Sequence, residues 1–319
     1  MPSRSDITYF GAGPALLPSE ILQDAAGALL NYNAPGLGSM DLPRTLRYPL
    51  QQTSRGILKA HFVSVAEHSQ RSQLTADIIN QAKADLASCL DIPDDYEILF
   101  MQGGGTGEFS ATVYNFVGAW VARKHKEIFG DLGGDAADHP ELMQQLKQTV
   151  DDDLKIDYLV TGGWSQKASA EAERLLGPKH VNIRSPRLLL RQRGVEFPAF
   201  PKSLEPRPDG TGPIVVADMS SNIFTRKIPV QNFSAIFFGA QKNLGVTGIT
   251  VVVIKKSFLP PATRQPPAGL MRDLGLPVCR PSFSSTRPSR VGIRASNYNS
   301  IPVEGAEKLA SFIRAFATS

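Results

Sequence analysis

Apolar positions along this chain recur in two rhythms. Ile21, Leu22, Ala25 and Leu29 fall on one side of a 3.6-residue spiral, which predicts an amphipathic helix opening at Pro18-Ser19 with Ser19 as its cap. Leu74, Ile78, Ala82 and Leu86 recur at four-residue steps and predict a second helix beginning at Ser72 or Thr75. Continuous apolar runs at 96–101, 156–160, 213–218, 235–238 and 247–254 predict strands. Helices are predicted at 109–125 and 165–176, and the polar stretch 126–154 reads as loop or helix. Near the end, Val303, Ala306, Leu309, Ile313 and Phe316 mark one face of a last helix over 303–316.

Strands alternating with helices predict an α/β domain whose parallel or mixed sheet is covered on both faces. The segments richest in small and polar residues follow the strands. Open α/β sheets bind ligands at that edge. Gln102-Gly-Gly-Gly-Thr-Gly107 stands between a strand and a helix. Glycines let backbone N–H groups approach an anion there, and the helix start favours negative charge, although a tight strand-to-helix turn needs the same residues. Thr161-Gly-Gly-Trp164 follows the next strand. Its indole suits either stacking on a ligand ring or packing in the core.

Gly239-Ala-Gln-Lys-Asn243 is the segment from which chemistry is most readily read. A lysine at the exit of a buried strand suits a Schiff-base role, because burial and nearby cations favour the nucleophilic neutral amine. Asp218 ends the preceding apolar run. An aspartate and a lysine on successive strands are what pyridoxal 5'-phosphate (PLP) chemistry requires. The acid keeps the pyridine nitrogen protonated and the amine holds the aldehyde. Singly, each residue has an ordinary reading: the lysine as a solvated loop residue, the aspartate as a turn or helix cap. Arg71 and Arg294 have the fork that binds carboxylate or phosphate, and equally suit solvated positions.

Composition narrows the classes. The 319 residues are 42% hydrophobic and 20% charged, ordinary for a globular protein. The net charge of +4 is not gathered into a basic block with interleaved aromatics, so no nucleic-acid partner is expected. Two cysteines, Cys89 and Cys279, give neither a disulfide framework nor a metal cluster, and the five histidines show no ligand spacing. No apolar run reaches membrane-spanning length and no signal core follows Met1, so the expectation is a cytoplasmic protein with no membrane association and no metal.

Taken together, Phe10–Pro14, Glu67–Ser72, Gln102–Phe109, Val160–Lys167, Ala217–Asn222, Gly239–Gly245 and Gly292–Pro302 resemble the phosphoserine aminotransferase family, within the class V branch of PLP-dependent fold type I enzymes. Gly-Val-Glu-Phe-Pro-Ala-Phe-Pro at 194–201 is similar to its fungal members. The resemblance implies a mostly parallel central sheet flanked by helices and a small C-terminal α+β domain, here truncated. It implies an N-terminal segment at 1–20, a large PLP-binding domain at 21–260 and a remnant of the small domain at 261–319. It also implies PLP held by Gly105, Thr106, Trp164, Asp218, Gln241 and Lys242, with Lys242 catalytic. Arg71 and Arg294 would bind substrate anions. The implied reaction is amino transfer between O-phospho-L-serine and 2-oxoglutarate, giving 3-phosphohydroxypyruvate and L-glutamate in L-serine biosynthesis. The implied assembly is a homodimer. A cysteine desulfurase, another class V enzyme, is disfavoured because no cysteine stands in a segment resembling that family's catalytic loop.

The chain departs from the family pattern at particular places. Gln70 replaces a histidine, and residues 39–63 form an insertion. Ser185–Arg193 replaces a cofactor-contacting segment and puts Arg191 at a threonine position. Between Pro277 and Arg290 a long family stretch, including a segment that reaches the partner subunit's site, shrinks to about a dozen residues. Such abrupt local replacements suggest a faulty gene model with a retained intron, a frame change and a skipped exon. The rival is a catalytically impaired relic that binds PLP weakly or only a partner subunit.

Overall fold

The computed structural model describes residues 14–30, 32, 65–67, 69, 71–130, 132, 139–184, 199–207, 212–260, 262–264 and 266–277. The chain separates into one compact unit, Met1–Phe283, and a second, Ser284–Ser319. Every described residue belongs to the first. The predicted helix at 303–316, the insertion at 39–63, the replacement at 185–193, the shortened stretch after Pro277, and Gln70, Arg191 and Arg294 lie outside the described residues.

Four strands form the main sheet: β1 (Tyr96–Gln102), β4 (Val216–Asp218), β5 (Ala235–Gly239) and β6 (Ile249–Lys255), in the order β1-β6-β5-β4. β4 pairs parallel with β5, and β6 runs against both β5 and β1. A second, two-stranded parallel sheet joins β2 (Ile156–Leu159) to β3 (Val181–Arg184). Of the parallel and mixed forms expected, the described strands of the main sheet show the mixed one. One strand is responsible. The turn at Thr247-Gly248, with Gly248 at φ 104°, sends β6 straight back beside β5.

Period-two alternation decides which side chains fill each face. Ile236 and Phe238 of β5, with Val251 and Val253 of β6, pack beneath Leu86 and Leu90 of α2 (Gln73–Leu90). Ala235, Phe237, Val252 and Ile254 face the other way, against Phe109, Phe116 and Ala119 of α3 (Gly105–Phe129). A further side of α3, carrying Val113, Val117 and Val121, packs with Val150 of α4 (Pro140–Asp153) and Ala172 and Leu176 of α5 (Gly163–Leu176). Met271 of the short helix α6 (Ala268–Asp273) joins the same cluster.

Boundaries moved where glycine misleads local reading. The expected helix at 109–125 begins four residues earlier, at Gly105, because the glycine run is its first turn; Gly104, at φ 144°, stands at the cap. Ser72 caps α2, its Oγ accepting from the Thr75 amide at 3.2 Å. In α1 (Ser19–Leu30) the Leu22 amide donates to Pro18 O at 3.3 Å, so Pro18 rather than Ser19 takes the cap position. Among the described residues, no helix is long and apolar enough to cross a membrane.

Candidate active site

Strand direction gathers the loops. β1, β4 and β5 end at one edge of the main sheet, and β6 begins there. Register makes the meeting specific, since Thr250 of β6 stands opposite both Met101 of β1 and Gly239 of β5. The loops leaving β1 and β5 are both pinned to the start of β6. The Gly103 amide donates to Gly248 O at 2.8 Å, and the Ala240 amide to Ile249 O at 3.0 Å. A Cβ on Gly103 would lie 2.7 Å from the Gly248 carbonyl carbon, so that contact admits only glycine without movement.

Asp218 ends β4 level with Phe237 of β5. Its Oδ1 accepts from the Ser220 amide at 2.9 Å and from Ser220 Oγ at 2.5 Å. Ser220 Oγ in turn accepts from the Gly239 amide at 3.0 Å. One hydroxyl therefore couples the carboxylate to the strand that leads to Lys242. Asn243 adds a second tie, donating through Nδ2 to Ile223 O at 2.9 Å and Ser221 O at 3.3 Å. The Ala15 amide donates to Gln241 O at 2.8 Å, attaching the chain ahead of α1 to the same loop. The Gln241 side chain folds back over Gly239, where a Cβ would meet its Oε1 at 2.5 Å. Lys242 is half-buried.

Trp164 arrives from the smaller sheet, in the first turn of α5. Ser165 Oγ accepts from the amides of Thr161 at 2.9 Å and Gly162 at 3.0 Å, fixing how the chain enters the helix. Trp164 is 58% exposed. Its edge rests on buried Phe109, with ring centroids 6.5 Å apart, and Phe109 packs on Phe237 at 6.3 Å. Lys167 Nζ sits 4.5 Å from the centre of the indole.

Gly105, Trp164, Asp218, Gln241 and Lys242 line a single cleft of about 2020 Å³ between β4 and β2. It exceeds the roughly 300–1,000 Å³ of a small-ligand pocket, since it continues past these residues to Trp120 and Arg226. Thr106 is exposed on the first turn of α3 and is not among the residues lining the cleft. Arg71 is exposed just ahead of α2 and is likewise absent from the lining. The donor set nevertheless fits a phosphorylated pyridine aldehyde. It offers an amine, a carboxylate oriented by Ser220, an exposed tryptophan and the opening amides of a 25-residue helix. Among the described residues, no cluster of three or more His, Cys, Asp or Glu side chains could hold a metal ion.

Two carboxylates near the site titrate unusually. Burial alone pushes Glu108, in the first turn of α3, up to about 7, and its Oε2 has no hydrogen-bond partner. Glu171 of α5 is held down at about 2, first by its hydrogen bonds from Arg174 and also by Ser110. Sequence reading overlooked Ser220, Asn243, Phe109 and Glu171. Ser220, Asn243 and Phe109 lie in segments it singled out, where Ser two places after Asp is an ordinary turn pattern. Phe109 and Glu171 look like routine helix residues, because the partners that give them a place in the site are distant in sequence.

The family model described as aminotransferase class-V matches residues 51–274. Phosphoserine aminotransferase of Saccharomyces cerevisiae is 32% identical over 330 residues, covering 94% of this chain and 69% of that protein. Phosphoserine aminotransferase of Idiomarina loihiensis is 32% identical over 273 residues, covering 80% and 59% respectively. A PLP-bound phosphoserine aminotransferase structure from Trichomonas vaginalis aligns over 83% of this chain and 62% of its own, with TM-score 0.52 and 25% identity. The Bacillus circulans phosphoserine aminotransferase structure shares the fold, with TM-score 0.53, 24% identity and the same two coverages. The chain thus spans about three fifths to two thirds of these relatives. On a family match extending over most of its length, and a 32% identical yeast relative, the chain belongs to the class V aminotransferase family.

Proposed function

We propose that this chain is a PLP-dependent phosphoserine transaminase. It would exchange the amino group between O-phospho-L-serine with 2-oxoglutarate and 3-phosphohydroxypyruvate with L-glutamate, in L-serine biosynthesis. The observation that carries this reading is the convergence of Lys242, Asp218, Trp164 and the start of α3 in one cleft. When bound, PLP supplies an electron sink for the pair left at the substrate α-carbon. The protein does the rest. Asp218, oriented by Ser220, holds the proton on the pyridine nitrogen. Lys242 is the residue that would hold the cofactor by its aldehyde, and once the substrate amine had displaced it, its freed Nζ would carry the proton from the substrate α-carbon. Trp164 covers the ring. The Gly105 amide, Thr106 and Gln241 receive the phosphate. Arg71 and Arg294 take the substrate anions. The reading includes a cytoplasmic homodimer.

A second reading is a chain that holds PLP but turns substrate over poorly. It is favoured by the exposed position of Arg71 away from the cleft lining. The test takes the pure chain and its Lys242→Ala variant, adds PLP and records absorbance. A visible band in the parent that the variant lacks supports the cofactor site. No band in a folded parent overturns it. Turnover of O-phospho-L-serine with 2-oxoglutarate then supports the first reading, and a band without turnover supports the second.

A further inference from the structure

The cofactor-contacting groups come from separately packed elements. The start of α3 follows β1 of the main sheet, whereas Trp164 opens α5 beside the smaller sheet. A ligand with a phosphate at one end and a ring at the other has a fixed length. The gap between α3 and the indole must match it.

Trp164 against Phe109 is one contact between these helices. Val113, Val117 and Val121 of α3 with Ala172 and Leu176 of α5 continue it as an apolar seam, and apolar packing by itself is not directional, so it leaves the register of two helices adjustable. Glu171 lies seven residues beyond Trp164, two helical turns and about 10 Å along the axis, so both residues share one face of α5. Its side chain is 13% exposed. Glu171 Oε1 accepts from Ser110 Oγ at 2.5 Å and from Arg174 at 2.6 Å, while Oε2 accepts from Arg174 Nε at 2.8 Å. Ser110 also approaches the Thr106 carbonyl at 3.3 Å, one turn nearer the helix start. The guanidinium fork fixes the carboxylate, and the carboxylate fixes α3. This directed fastening adds a fixed register to the apolar seam between the two helices.

We propose that Glu171 and Ser110 are positioning residues that set the distance between the phosphate-receiving start of α3 and the ring-covering Trp164. The inference rests on the reading of the cleft as a PLP site. It makes a thermodynamic claim that a merely structural role does not. Inorganic phosphate needs only the start of α3, and pyridoxal, lacking the phosphate, needs only the ring side. PLP needs both at once, and its advantage over its two halves depends on their spacing.

The experiment uses the full chain and its Ser110→Ala, Ser110→Thr and Glu171→Gln variants. PLP and pyridoxal binding are read from the Lys242-dependent band. Inorganic phosphate is titrated as a competitor of PLP. In S110A the PLP dissociation constant is expected to rise about tenfold, the scale of losing one hydrogen bond to a charged group. Pyridoxal and phosphate affinities should stay within about twofold. S110T should restore PLP binding by returning the hydroxyl. E171Q should fall between, because its amide oxygen still accepts from Ser110 but no longer pairs with Arg174. Unchanged PLP affinity in both S110A and E171Q overturns the proposal, as does equal weakening of all three ligands. A parent without the band overturns the reading of the cleft itself, and this inference with it, so the two failures are told apart by the parent alone.

Discussion

The two sides of the cleft are held by different physics. On one side, Asp218, Lys242 and the glycine run leave neighbouring strands of one sheet. Backbone register and short hydrogen bonds through Ser220, Asn243 and Gly248 set their spacing. On the other, Trp164 is placed by helix packing, through an apolar seam, one aromatic edge and one carboxylate. Sheet ladders add many cooperative bonds over rigid strands, whereas two helices in contact can slide and pivot. Lysine and aspartate should therefore be far less adjustable relative to one another than either is to the indole.

The largest blow to the sheet side is Phe238→Ala. Phe238 is fully buried in β5, and its loss should cost about 3–5 kcal/mol, read by chemical denaturation. Cofactor binding should fail together with folding. Next, Gly103→Ala should force apart the loops pinned by Gly248 and cost roughly 1–3 kcal/mol in the same assay. Wild-type stability in G103A would mean that the close approach is not what spaces these loops. Asn243→Ala removes the tie between the two loops, and about 1–2 kcal/mol is expected. Faster hydrogen exchange should appear at residues 219–225 but not in α5, since the helix side shares none of that tie.

A pH series examines the helix side. Glu108 titrates near 7 when folded, above the ordinary glutamate range it has unfolded. Between those values the folded chain keeps a proton that the unfolded chain releases. Stability should therefore fall as pH rises from about 4.3 to 7, then level off. Glu108→Gln should flatten this component and gain stability above pH 7. An identical slope in both proteins would assign the titration elsewhere. Smallest in stability is Trp164→Ala, expected within about 0.5 kcal/mol for so exposed a side chain, while PLP affinity drops. Equal losses in stability and affinity would show that the indole serves packing first.

Much of the sheet was legible in the sequence because buried strands must be apolar on both faces. Residues 235–238 and 249–254 announce that directly. The Lys242 and Asp218 segments were legible as small and polar residues punctuating those runs. Less legible were the start of α3 inside a glycine run, and β3 and α6, which are too short for periodicity to speak. In α1 the apolar stripe is present, yet Ile21, Leu22 and Leu29 are exposed among the described residues, since a stripe states what can be buried and not against what.

By itself, then, the sequence determined the alternation of strands and helices, the place of the lysine and aspartate segments at the ends of apolar runs and the resemblance to class V aminotransferases. These depend on local composition, which each segment carries with it. Only the tertiary structure decided that β6 runs backward, that Gly103 and Gly248 meet, that Ser220 joins Asp218 to Gly239, and that Glu171 reaches Ser110. Each of these is a contact between segments whose spacing along the chain says nothing about their distance in space. Packing chooses among them, and packing belongs to the whole chain.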